Sequence, residues 1–167
     1  VNALRVAGSP QARDKGVLVV LNDEIHAARD VVKTSTYRLQ TFRSADFGAL
    51  GHADGDGVHF YRTPLGAHMP DTPFAALDLA ELPRVDIIYS YAGADGDLVQ
   101  AAVAAGARGL VSAGFAPGSP SPDQREAFIE AARSGVAVVQ CTRAASGRVA
   151  PRRHLRISLG VERAPEL

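Results

Sequence analysis

Three short apolar runs, Val85–Tyr91, Arg108–Ala113 and Val136–Cys141, alternate with two helix-forming stretches, and this alternation narrows the possible folds more than any other feature of the chain. The first connecting stretch, Asp97–Ala105, is alanine-rich and is stopped by Gly106. The second opens with Ser121-Pro122-Asp123-Gln124, a capping-box pattern with proline at the first helical position, and ends at Gly135. Strands separated by helices of about ten to fifteen residues build right-handed βαβ units and therefore a parallel sheet.

The rest of the chain has a different texture. Residues 1–8 read as the last turns of a helix, and Ser9-Pro10 as a cap opening a short second helix that ends at Gly16. Val17–Leu21, bounded by Gly16 and the turn pair Asn22-Asp23, reads as a buried strand of a parallel sheet. From Tyr37 to Gly51 no period dominates. Ala53–Gly57 (ADGDG) is a tight-turn signal leading into a strand at residues 58–62, which points to a hairpin. Thr63–Leu82 and the adjoining Pro83 carry four of the ten prolines and read as a linker. The expected class is α/β, with the end of a parallel-sheet domain (1–63), a linker (64–83), a small flavodoxin-like domain (84–160) and a tail (161–167). The closing stretch RVAPRRHLRISLGVERAPEL, residues 148–167, holds a basic cluster and one short strand pattern at 155–159, without a helix to cover the sheet.

Composition removes several classes of function. The 167 residues carry 18 basic and 18 acidic side chains, which gives no reason to expect nucleic acid or an anionic membrane as partner. No apolar segment approaches the roughly 20 residues of a membrane-spanning helix. The single cysteine, Cys141, excludes internal disulfides and, within VAVVQC, reads as a small core residue. No signal peptide opens the chain, and the absence of an initiator Met suggests a processed chain or a fragment.

Candidate chemistry centres on Lys33, in the stretch GVLVVLNDEIHAARDVVKTST. It is one of two lysines in a chain that otherwise uses arginine for positive charge. Lysine can be tuned to exchange a proton and arginine cannot, so a lysine beyond a strand end, where α/β sheets gather ligands, could serve chemistry. Taken alone, a solvated loop lysine is the simpler reading. His26, His52, His59 and His68, with Asp54 and Asp56, match no strong zinc spacing, and DGDG at 54–57 lacks the terminal glutamate of a calcium loop; turn and surface roles are favoured. Ser112 in GLVSAG is one residue out of register for a nucleophile elbow. There is no G-x-G-x-x-G and no P-loop. The Gly114–Ser121 loop precedes a helix N-terminus and offers amides to an anionic group such as a carboxylate.

VVLNDEIHAARDVVKTST, followed in order by FGALGH, DTPF, LPRVDIIYSYAG and GLVSAGFAPGSPSP, is similar to the bacterial L-asparaginase and glutaminase-asparaginase family. The likeness spans residues 1 to about 150 and corresponds to the second half of the family's chain. It implies hydrolysis of the side-chain amide of L-asparagine, and in some members L-glutamine, without a cofactor or metal. It also implies a homotetramer built as a pair of close dimers, with a periplasmic location slightly favoured over a cytoplasmic one. Lys33 matches the family's catalytic lysine in a Thr-Asp-Lys arrangement, where its task is to hold and tune the network that activates a threonine hydroxyl. Ser119 falls where the family lends an asparagine or serine to the substrate in a neighbouring subunit.

The departures carry as much weight. The family's T-G-G-T and H-G-T-D-T segments, which hold both threonines and the aspartate, are absent from these 167 residues. Val32 stands where the family usually has threonine. The glutamate that some members supply from farther on aligns roughly with His154. The chain therefore reads as an asparaginase-type fragment, inactive alone, with Lys33 its one surviving catalytic residue. A non-catalytic module that binds asparagine or aspartate is the alternative.

Overall fold

A computed structural model describes residues 1–65, 72 and 82–150. They divide into two compact units, one among residues 1–77 and one among residues 78–166.

The first unit begins with helix α1 (Asn2–Gly8) and a single 3-10 turn at Pro10–Ala12, where Ser9 Oγ accepts from the Gln11 amide at 3.3 Å. Strands β1 (Leu18–Leu21) and β2 (Glu24–Ala27) form a hairpin whose two turn residues, Asn22 and Asp23, both take positive φ (52° and 65°). Asparagine and aspartate tolerate that region better than other side chains, and such a turn matches the right-handed twist of its strands. β3 (Val32–Lys33) and β4 (Phe42–Arg43) make a separate two-stranded ribbon. β5 (Gly51–Ala53) and β6 (Val58–Phe60) close the expected hairpin, and the main sheet runs β1-β2-β5-β6. Val6, Ile25 and Ala53 form its core, with Leu18, Val20, Val58 and Phe60 packed against them.

The Val17–Leu21 run departs from expectation. It is a half-buried strand paired antiparallel to β2, not a buried parallel one. Leu18 and Val20 face α1 and the 3-10 turn, while Val19 lies opposite His26, so both faces favour apolar residues without a parallel neighbour. A five-residue apolar run cannot by itself distinguish these cases.

The second unit holds the parallel sheet. β7 (Val85–Tyr89), β8 (Gly109–Gly114) and β9 (Ala137–Thr142) pair in that order, connected by α2 (Asp97–Ala104) and α3 (Pro122–Arg133). Right-handed crossovers between strands laid down in one direction put both helices on one face. Ile88, Leu110 and Val138 point to that face and pack with Val99, Ala102, Phe128 and Ala131 of the helices. Gly106 and Gly135, both with positive φ, end the helices as expected. The residues of alternate parity, Val85, Ile87, Tyr89 and Val139, remain exposed among the described residues. The strand pattern at 155–159 and most of the 64–83 stretch lie outside the described residues.

The capping box is only half realised. Ser121 Oγ accepts from the Gln124 amide at 3.2 Å, but the Gln124 side chain does not return to the cap. It is buried, takes a 2.7 Å hydrogen bond from Ser90 Oγ and donates at 3.1 Å to the Tyr89 carbonyl. Helix α3 is thereby tied to the carboxyl end of β7.

Candidate functional site

Lys33 does not sit past the end of a parallel strand. It lies within β3, opposite Phe42 of β4, and its side chain is exposed. Lys15 is occupied, donating to Thr63 Oγ1 at 3.0 Å with its ammonium 5.1 Å from the Phe60 ring centroid. Lys33 Nζ has no hydrogen-bond or ion-pair partner among the described residues. Its backbone is held firmly by comparison. Thr34 donates to the Thr41 carbonyl through both its amide (2.7 Å) and its hydroxyl (2.8 Å), and the Ser35 amide bonds Thr41 Oγ1 at 3.0 Å. On the other side, the Asp30 and Val31 amides both reach the Ala27 carbonyl. The ribbon thus presents, on a fixed backbone, an ammonium without a partner among the described residues.

Behind the ribbon lies a pair of buried polar side chains that sequence reasoning missed. His26 of β2 places Nδ1 3.0 Å from Ser44 Oγ, one residue past β4, and Nε2 3.2 Å from Glu24 Oε2. A serine–histidine–glutamate chain invites a catalytic reading, yet Ser44 is only 5% exposed. Its effect is to fasten the ribbon carrying Lys33 to the sheet. The serine lies 18 residues from the histidine, and no local spacing signals the pair.

The second candidate region is the carboxyl end of the parallel sheet, where open α/β sheets bind ligands. Phe115–Ser119 closes into a tight loop: the Phe115 amide bonds the Ser119 carbonyl and the Ser119 amide bonds the Phe115 carbonyl, both at 2.7 Å. The Gly118 amide also bonds the Phe115 carbonyl. Three of the loop's amides, those of Phe115, Gly118 and Ser119, are therefore spent internally and are not offered to an anion. Gln140 Nε2 holds the Gly118 carbonyl, while the Arg143 guanidinium donates to the Ser90 carbonyl and lies 5.2 Å from the Phe115 ring centroid.

Within this scaffold Ser119 Oγ is buried and has no hydrogen-bond partner among the described residues. A buried hydroxyl without a partner is uncommon and costs roughly 1–3 kcal/mol. Ser112 Oγ is also buried and, among the described residues, unpartnered, on the face of β8 turned toward the helices. It is not a nucleophile raised on an elbow. Cys141 is half-buried, its thiol 3.5 Å from the Thr142 carbonyl, consistent with a packing role. His68 and His154 lie outside the described residues. No helix among the described residues is long and apolar enough to cross a membrane.

Known proteins supply the context for these two regions. Residues 1–66 match the family model for the asparaginase N-terminal domain, and residues 84–161 that for the glutaminase/asparaginase C-terminal domain. The chain is 45% identical over 150 residues to L-asparaginase 2 of Bacillus subtilis, covering 90% of this chain and 40% of that protein. It is 39% identical over 146 residues to a probable periplasmic L-asparaginase of Haemophilus influenzae, covering 87% of this chain and 42% of that one. The crystal structure of a probable cytoplasmic L-asparaginase from Campylobacter jejuni superposes with a TM-score of 0.88 at 34% identity, over 95% of this chain and 49% of that one. The chain thus spans less than half the length of each of these proteins. With both domain models matched in order and the fold reproduced, this chain belongs to the asparaginase family.

Proposed function

We propose that this chain is the part of an asparaginase-type amidohydrolase that carries the catalytic lysine, Lys33, and a substrate-contacting serine, Ser119. The observation that supports this best is the exposed Lys33 ammonium, without a partner among the described residues, on a firmly bonded ribbon in a chain of this family. Lys33 would hold and tune the acid–base network around a threonine nucleophile. Ser119 would direct its unpartnered hydroxyl to the substrate of a neighbouring subunit. The substrate is L-asparagine, with L-glutamine accepted as the name of the matching C-terminal family allows, and the products are the acid and ammonia.

The domain division we adopt is 1–63 for the closing part of the N-terminal domain, 64–83 for the linker, 84–160 for the C-terminal domain and 161–167 for the tail. The assembly is a homotetramer, and the periplasm is preferred over the cytoplasm because the periplasmic relative is the more similar of the two. The 167 residues contain neither T-G-G-T nor H-G-T-D-T, so the isolated chain has no threonine nucleophile of the family type and releases no ammonia. That absence also favours the second reading, a module that binds asparagine or aspartate without turnover.

Calorimetric titration with L-aspartate beside an ammonia assay separates the readings. Tight binding with no ammonia, unaltered by adding the threonine-bearing segment of a relative, supports the binding module. Ammonia release that appears on adding that segment and vanishes with Lys33→Ala supports the enzyme.

A further inference from the structure

The β5–β6 hairpin carries a set of side chains that the amidohydrolase reading does not use. Asp54, Asp56 and His59 bring one carboxylate oxygen each and one imidazole nitrogen to within 4.8 Å of one another at the hairpin tip. One pair, His59 Nε2 and Asp56 Oδ1, is already 3.3 Å apart. Ligands at about 2.0–2.2 Å from a zinc-like ion lie roughly 3–3.5 Å from each other, so this pair has the required spacing. The remaining adjustment falls on Asp54, whose side chain is exposed.

Gly57 is the independent sign that room is kept here. A Cβ at this position would lie 3.1 Å from His59 Nε2 and 3.3 Å from its Cε1, crowding the nitrogen that faces the carboxylates. Gly57 also closes the turn, its amide bonding the Asp54 carbonyl at 3.3 Å, and its φ is not positive. The missing side chain leaves the imidazole edge open. The other two described histidines are engaged differently: His26 bonds both Ser44 and Glu24, and His52, opposite His59 in register, tilts against Tyr61 at 5.9 Å between ring centroids.

We propose that Asp54, Asp56 and His59 bind a divalent transition-metal ion of the zinc class at the tip of this hairpin. An imidazole with two carboxylates suits Zn²⁺, Co²⁺ or Ni²⁺, whereas Ca²⁺ takes oxygen ligands only. Three protein ligands leave a coordination position to water, and the exposed tip is open to it.

The test is titration calorimetry of the purified, tag-free, metal-stripped 167-residue chain with zinc chloride, repeated with cobalt chloride while recording the visible spectrum. One saturable zinc site per chain is expected. His59→Ala and Asp54→Asn should each weaken it by more than about tenfold, the lower end of what even the loss of an outer-shell partner costs. His52→Ala should leave it unchanged, and calcium chloride should give no saturable binding. Circular dichroism establishes that each variant is folded, and Asp54→Asn, confined to the exposed turn, carries the test if His59→Ala disturbs β6. Zinc affinity and cobalt spectrum unchanged in both His59→Ala and Asp54→Asn, the absence of a saturable site, or loss of the site in His52→Ala alone would overturn the proposal.

Discussion

His26 Nδ1 lies 3.0 Å from Ser44 Oγ, and both side chains are buried between the β1-β2-β5-β6 sheet and the ribbon that carries Lys33. Removing the hydroxyl leaves a buried imidazole nitrogen without that partner. Ser44→Ala is therefore expected to destabilise the first unit by about 1–3 kcal/mol. Urea unfolding followed by far-UV circular dichroism measures it. A change below about 0.5 kcal/mol, the range of ordinary surface substitutions, would show that the bond does not hold the ribbon.

Ser121 both caps α3 and donates to the buried Ala94 carbonyl at 2.7 Å. Ser121→Ala loses both roles and is expected to cost about 0.5–2 kcal/mol for the cap alone. Ser121→Asp keeps an acceptor for the Gln124 amide but cannot donate to Ala94 when ionised. Its stability should fall between the wild type and Ser121→Ala, and equality with the alanine variant would mean that the cap contributes nothing.

Gln124 joins α3 to the carboxyl end of β7 through one side chain. Gln124→Leu strands the Ser90 hydroxyl and the Tyr89 carbonyl, at about 1–3 kcal/mol for each buried group left unpaired. Adding Ser90→Ala removes one of those orphans, so the double variant should be more stable than the sum of the single losses implies. Thermal unfolding of the four proteins gives the coupling, and strict additivity would contradict the observed bond.

Much of this fold is legible in the residues because the signals are local. The apolar runs of β7, β8 and β9, the glycines ending α2 and α3, and the serine–proline start of α3 each state their element within a few positions. The DGDG turn likewise marks β5 and β6. β1 resembles a parallel core strand because its apolar residues face different neighbours on its two sides, and β2 (EIHA), its antiparallel partner, is too short and too polar to register as a strand. Half of the capping box failed because tertiary hydrogen bonds to Ser90 and Tyr89 outcompeted the local return bond of Gln124. Lys33 stands out by its rarity. The His26–Ser44 pair does not, because contact between residues so far apart depends on how the ribbon packs.

Gly114 shows how little room the Ser119 loop has. A Cβ there would lie 2.5 Å from the Ser119 carbonyl carbon and 2.6 Å from its oxygen. Gly114→Ala is expected to open the Phe115–Ser119 loop, which hydrogen exchange would register as lost protection of those two amides. L-Aspartate binding through Ser119 should weaken in parallel. Retained protection would mean that the loop tolerates the added carbon by shifting as a body.

The most direct measurement is ammonia release from L-asparagine by the purified chain, alone and mixed with the portion of the Bacillus subtilis relative that precedes the matched region. No release is expected from the chain alone. Release is expected from the mixture, falling by at least about a thousandfold with Lys33→Met, in the range lost when a general acid–base group is removed. Robust release from the chain alone, or undiminished release from the Lys33→Met mixture, would contradict the assignment of Lys33 as the catalytic lysine of a site completed by threonines from outside these residues.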